Sequence, residues 1–140
     1  MLKDFLFEIY ESNPYVKFLK MEVSELGDGY AEITMPVEED KHTNLYNVAH
    51  GGALASLADT SMGVACATSG NKVVTLEMNM NFIKAAAPQK ALKGIGRVVH
   101  GGKSTMVAEV EIIDGIGQLI LKARGTFFVV GKFDANEKLA

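Results

Sequence analysis

Residues 52–68 read GALASLADTSMGVACAT, and this run decides how the rest of the chain is arranged. It has no proline and is mostly Ala, Leu, Ser, Met, Val and Cys around one carboxylate, which predicts a helix. Apolar residues go nearly all the way round it, so the helix is expected to be buried rather than laid on a surface. It is too short and too interrupted for a membrane span of roughly 20 apolar residues. Between His42 and Asn71 the sole Asp, Glu, Lys or Arg is Asp59. Gly52, Ser56, Asp59, Thr60 and Gly63 recur at spacings of three and four, a small or polar stripe along one side.

Strand patterns surround this run. Upstream, Met21–Leu26 and Tyr30–Pro36 are joined by Gly27-Asp28-Gly29, a hairpin signal. Downstream, Val73–Ile83 alternates without a fault. Leu76, Met78, Met80 and Phe82 fall on one face, and Thr75, Glu77, Asn79 and Asn81 on the other. Ala91–His100, Ser104–Ile113 and Gln118–Val130 read as three more strands. Leu2, Phe5, Leu6 and Ile9 predict an amphipathic N-terminal helix within residues 1–13, ended by Asn13-Pro14. The tail from Lys132 to residue 140 is charged and expected to be frayed. Strands in runs with a segregated helix mean an α+β class, and a sheet buries such a helix fully by curling around it.

The 140 residues fit one domain spanning the chain, with 48% hydrophobic and 22% charged residues, an ordinary folded balance. The net charge of −3 argues against nucleic acid as a partner. That mean hides a split. Lys84 to Arg124 holds seven Lys or Arg and three Asp or Glu, a net of +4, while the remainder carries −7. Such a split marks either a local site for an anion or plain unevenness of surface charge. Cys66 is the one cysteine, which fits a reducing compartment. With no long apolar run at its start, the chain reads as cytoplasmic and not membrane-bound.

Two features carry chemistry. A lone carboxylate on a buried helix is costly unless it is paired or opens on a pocket. Asp59 is therefore either salt-bridged to a basic group on another strand or a general base whose pKa is set by burial. His50-Gly51-Gly52 just precedes the helix, where bare N–H groups and the positive end of the helix dipole suit an oxyanion. Asp59 follows Gly51 by eight residues, so the two are expected to frame one electrophile if the helix starts a residue or two after Gly51. A lipase reading of HGG fails for want of a G-x-S-x-G elbow. GRVVHGGKS at 96–104 misses the P-loop pattern at Arg97 and reads as a hairpin turn, whose Lys103 and Ser104 could still touch a phosphate. His42, His50, His100 and Cys66 lack metal-ligand spacing, so no metal is expected. Asn44 and Asn47 suit Asx turns.

NLYNVAHGG (44–52), LAD (57–59) and VTLEMN (74–79) together resemble the hotdog-fold acyl-CoA thioesterases of the phenylacetate-degradation (PaaI-like) type, over about residues 20–130. The resemblance implies a curved antiparallel sheet, here of about six strands, wrapped around one long helix. It implies dimers that join sheets edge to edge, often paired into homotetramers, with active sites between subunits. It implies hydrolysis of acyl-CoA to free acid and CoA, with Asp59 as base or nucleophile. Gly51 N–H would polarise the carbonyl, Asn44 would orient the carbonyl or the water, His50 would shape the loop and Thr75 would help hold the water. Asn47 stands where the family commonly has Gly, and Asn tolerates the left-handed region. The CoA phosphates would lie near Lys84, Lys90, Arg97 or Lys103, with Ser104 and Gly52 as further contacts. No cofactor is expected beyond the CoA of the substrate. A non-catalytic acyl-CoA-binding module on the same fold is the alternative. A hotdog hydratase fits poorly, because His50 is followed by Gly-Gly.

Overall fold

The computed structural model describes residues 2–134. Helix α1 (Leu2–Glu11) buries Phe5 and Leu6. Asn13-Pro14 ends it as expected, but also starts a second, unexpected helix, α2 (Pro14–Phe18). Asn13 Oδ1 accepts the N–H groups of Tyr15 at 3.0 Å and Val16 at 3.2 Å. Pro14 sits where a missing N–H costs nothing, because the first turn leaves that donor unpaired anyway. Strands β1 (Glu22–Gly27) and β2 (Tyr30–Val37) follow as a hairpin. At its turn Gly29 takes φ +63° and donates to Thr68 Oγ1 at 2.8 Å.

The charge-poor run forms α3 (Gly51–Ala67). Four strands come after it: β3 (Asn71–Phe82), β4 (Gln89–Gly101), β5 (Thr105–Ile113) and β6 (Leu119–Lys132). All pairings are antiparallel, in the order β1-β2-β4-β5-β6-β3. The sheet curls around α3, whose Leu57, Ala58, Met62 and Val64 to Ala67 are shut off from solvent. Gly94 and Gly96 on β4 are the seat of the helix. A Cβ at Gly94 would run into the Ser61 hydroxyl, and one at Gly96 would come within 2.7 Å of the Ser61 carbonyl carbon. Helix backbone and sheet backbone therefore touch there, and Ser61 turns its hydroxyl back to Leu57 O at 2.7 Å.

Strand β3 corrects the faultless alternation read from sequence. Thr75 pairs with Phe127, but Glu77 pairs with Thr126, so Leu76 is an extra residue with no partner. A bulge of this kind reverses the alternation beyond it. Thr75 lies opposite the buried Phe127, and Met78 lies opposite Gly125, whose missing Cβ would meet Met62 of α3 at 3.1 Å. Thr75 thus shares the helix-facing side with Met78, Met80 and Phe82, not the outer side with Glu77. Strand β3 is also an edge, with Val74 51% and Leu76 57% exposed. The opposite edge, β1, is half as long and presents Glu22 and Glu25 around its own bulge, the usual protection against pairing.

Lys132 and Phe133, expected to open a frayed tail, are instead held in the fold. Lys132 closes β6, and Phe133 packs edge-on to Phe5 at 5.9 Å and donates its N–H to Gly70 O. Residues 135–140 lie outside the described residues. Among the described residues no helix is long and apolar enough to cross a membrane.

Candidate active site

The helix stripe read from sequence lies on the side of α3 left uncovered: Gly52, Ser56, Asp59, Thr60 and Gly63 all escape burial, as do Gly51 and Ala55. Asp59 is half-buried rather than enclosed, which corrects the buried carboxylate expected of it. Its Oδ1 accepts a hydrogen bond from the Thr75 hydroxyl at 2.7 Å, across from α3 to β3. The partner is a neutral donor, not the Lys or Arg of the salt-bridge reading. The bulge at Leu76 turns Thr75 inward and so makes the bond possible. A groove opens beside the pair. Tyr10, Asn13, Tyr15 and Val16 form one wall, Val73, Thr75 and Phe127 the other, and Asp59, Thr60 and Gly63 the floor.

Sequence reasoning missed the first wall because it stopped at Pro14. The signal was present, since Asn followed by Pro reads equally well as a cap and a first helical position. Tyr15 hydrogen-bonds Ser56 Oγ at 2.6 Å, and Ser56 gives its own proton to Gly52 O at 2.8 Å, so Tyr15 is the donor. Burial, with a smaller contribution from Cys66, pushes the Tyr10 phenol up to about 12. It therefore stays neutral in the groove at ordinary pH.

At the helix start His50 is the N-cap, and its Nδ1 accepts the Gly52 N–H at 2.8 Å. This fixes the proton on Nε2 in the neutral ring. It also corrects the picture of two bare glycine amides. Gly52 N–H is taken, and among the described residues no hydrogen bond engages the Gly51 N–H. Gly51 borders a second groove with Val48, Leu54, Phe82, Ile83 and Lys84.

Behind it stands His42, a buried residue that sequence reasoning weighed solely as a metal ligand. Its Nδ1 accepts Glu38 N–H at 3.0 Å, its Nε2 donates to Leu19 O at 2.8 Å, and its carbonyl accepts His50 N–H at 2.7 Å. His42 therefore ties the loop before the helix to the strand hairpin. No sequence pattern marks it, because its partners are backbone groups, and one of them, Leu19, lies 23 residues away.

Asn44 braces the same loop. Its Oδ1 accepts Tyr46 N–H at 2.9 Å and Val48 N–H at 3.3 Å, an Asx-type turn. Its Nδ2 donates to no protein group among the described residues. Asn47 takes φ +59° and supplies the left-handed residue without glycine.

The helix begins at Gly51 itself. Eight residues then separate Gly51 from Asp59 by about 12 Å along the axis. That is beyond the reach of one small electrophile, so one chain does not frame it with both groups.

The basic candidates do not form one strip in a chain either. Lys84, bonded to Gln118 Oε1, borders the Gly51 groove. Arg97 lies on the exposed sheet over the Tyr30 ring at 4.7 Å. Lys103 and Ser104 sit in the β4–β5 turn, near the C-terminal end of α3, where Ser69 reaches Met106. Lys90, at the start of β4, lies some 40 Å of extended strand away from them. Among the described residues no three His, Cys, Asp or Glu side chains are grouped to hold a metal ion.

The sequence signature of the thioesterase superfamily matches residues 46–121. The acyl-coenzyme A thioesterase PaaI of Escherichia coli is 29% identical over 88% of this chain and 87% of that protein. A solved structure of the E. coli protein superposes with a TM-score of 0.86 at 27% identity, covering 94% of this chain and 98% of that one. The 1,4-dihydroxy-2-naphthoyl-CoA hydrolase of E. coli is 33% identical, covering 79% of this chain and 82% of that protein. A thioesterase structure with coenzyme A from Streptococcus pneumoniae is 31% identical with a TM-score of 0.81, covering 96% of this chain and all of that one.

Proposed function

The chain belongs to the thioesterase superfamily as a PaaI-like hotdog thioester hydrolase, and on that footing we propose that it cleaves acyl-CoA with Asp59 as the general base. The observation that carries the proposal is the Thr75–Asp59 hydrogen bond. It holds Oδ1 beside the groove, and on this reading Oδ2 would take up the attacking water. A pure binding module has no use for a carboxylate held in this way.

Asp59 Oδ2 removes a proton from water as the water oxygen attacks the thioester carbonyl. Charge developing on the carbonyl oxygen is stabilised by Gly51 N–H at the positive end of α3, assisted by Asn44 Nδ2. When the C–S bond breaks, Asp59 returns the proton to the departing thiolate, giving free acid and CoA. The separation of about 12 Å within one helix implies that Gly51 and Asp59 of one site come from two copies. Two copies paired antiparallel through their β3 edges meet this requirement. Gly51 packs near Phe82 and Asp59 near Thr75, so an axis near Ala55 on α3 falls beside Met78 and Asn79 on β3. The exposed Val74 and Leu76 support this edge as the contact. The pantetheine would leave along the Gly51 groove towards Lys84, the basic residue best positioned for a phosphate. Pairing of such dimers into a homotetramer, and a cytoplasmic location, are part of the same proposal.

The test is release of thiol from a panel of aryl- and medium-chain acyl-CoAs. Asp59→Asn should lower kcat by about 10²–10⁴-fold while still binding substrate. Full activity in Asp59→Asn would remove the assignment. Binding without hydrolysis across the panel would favour the acyl-CoA-binding module.

A further inference from the structure

The loop before α3 displays Leu45 at 96% and Tyr46 at 82% exposure. Exposed loop tips are ordinarily small, polar and mobile. This one is apolar and braced. Beyond the Asn44 bonds, Thr43 pairs with Ala49, Asn47 Nδ2 donates to Glu39 Oε1 at 3.0 Å, and Ala49 N–H is held by Ala86 O at 2.8 Å. A rigid turn that holds Leu and Tyr in water is apolar surface built to be covered.

What covers it follows from the reading above, on which this inference rests. Gly51 reaches the Asp59 of a second copy, and the loop tip is five residues upstream of Gly51. Five residues span at most about 18 Å, which keeps the tip within reach of the groove beside the other copy's Asp59. That groove is walled by Tyr10, Tyr15 and Val16 on one side and by Val73 and Phe127 on the other, and its outer side is open. We propose that Leu45 and Tyr46 of one subunit form the outer wall of the acyl groove of the other. Acyl selectivity is then set across the interface, by a loop that touches nothing in its own chain's groove.

Two measurements test this. Tyr46→Ala should change the ratio of kcat/KM between a bulky aryl-CoA and a short acyl-CoA by about tenfold or more, the effect of one lost aromatic contact. Tyr46→Phe should keep the ratio, and inhibition by free CoA should be unchanged in both. An unchanged ratio in Tyr46→Ala overturns the proposal. Second, a chain with Asp59→Asn is co-expressed with a chain carrying Leu45→Asp and Tyr46→Asp, and the mixed dimer is isolated by two tags. Each homodimer should be impaired. The mixed dimer holds one intact site and should recover about half of wild-type activity. A mixed dimer no more active than its parents overturns the proposal, as does a wild-type chain that is monomeric in solution. A wild-type chain inactive on the whole acyl-CoA panel would instead overturn the proposed function, and this inference with it.

Discussion

The Thr75 hydroxyl reaches Asp59 Oδ1 at 2.7 Å because β3 carries one residue more than β6 at Leu76. Were Leu76 paired in regular alternation instead, Thr75 would face the same side as Glu77. Thr75→Val keeps the shape and removes the donor. One hydrogen bond to a charged group contributes about 1.5–3 kcal/mol, so kcat should fall by roughly 10- to 100-fold with KM little changed. Thr75→Ser should retain most activity, and melting temperatures should hardly differ, since Thr75 is exposed in the single chain. An unaltered kcat in Thr75→Val would show that the carboxylate needs no orienting donor.

Leu76 itself tests the proposed pairing edge. Lysine on an edge strand opposes strand addition. Leu76→Lys should weaken self-association by at least about tenfold in Kd, or 1.4 kcal/mol, as followed by light scattering across a dilution series. Activity should decline in step with the dimer fraction. A fully dimeric and active Leu76→Lys protein would mean that the copies meet elsewhere.

Gly96 is predicted to be intolerant for a reason remote from chemistry. Its added methyl would press on the Ser61 carbonyl, which belongs to helix backbone and cannot rotate away. Gly96→Ala should cost about 1–3 kcal/mol by overpacking, read from urea unfolding. Gly117→Ala is the contrasting case. Nothing lies within 4 Å of its Cβ, and any loss there comes from its φ of +85° alone.

Cys66 and Tyr10 give a dependence on alkaline pH. Burial raises the Cys66 thiol from 9.0 to about 11 and the Tyr10 phenol from 10.0 to about 12. Both folded values exceed the unfolded ones, so the unfolded chain loses protons first. Their contribution is fully present below about pH 9 and is lost as pH rises through 11 to 12. Thermal midpoints should be level near pH 7–8 and fall above pH 9, with a shallower fall in Cys66→Ala. At pH 8 a thiol reagent should react with Cys66 in denaturant and spare it in the native protein, so the thiol assay has little background.

The architecture was legible because its signals are local. The run with one charge became the enclosed helix, and six period-2 segments became the six strands. Asp59, Thr75 and Gly51 were legible as residues but not as geometry. The bulge at Leu76 leaves no trace in the alternation of VTLEMN, since it arises from pairing with β6, some fifty residues on. The capture of Gly52 N–H by His50 depends on a rotamer. The separation of Lys84 from Lys103 depends on which way each strand runs. Helix α2 is different in kind. Asn13-Pro14 carries a stop and a start signal at once, and the start is visible in the sequence alone.

The sheet order has a consequence for the chain as it is made. Strand β3 is synthesised before β4, β5 and β6, yet its sole strand neighbour among the described residues is β6, with Asn71 opposite Lys132 and Phe82 opposite Leu121. These pairs close loops of roughly 40 to 60 residues, the slow class of folding contact. Until β6 emerges, both edges of β3 are bare, and the strand proposed to pair with a second copy has no fixed register. In the proposed dimer, assembly is therefore timed by the last strand. A nascent chain cannot present a competent pairing edge to its neighbours on the same message before its own fold is closed, which delays the moment at which two copies can recognise each other.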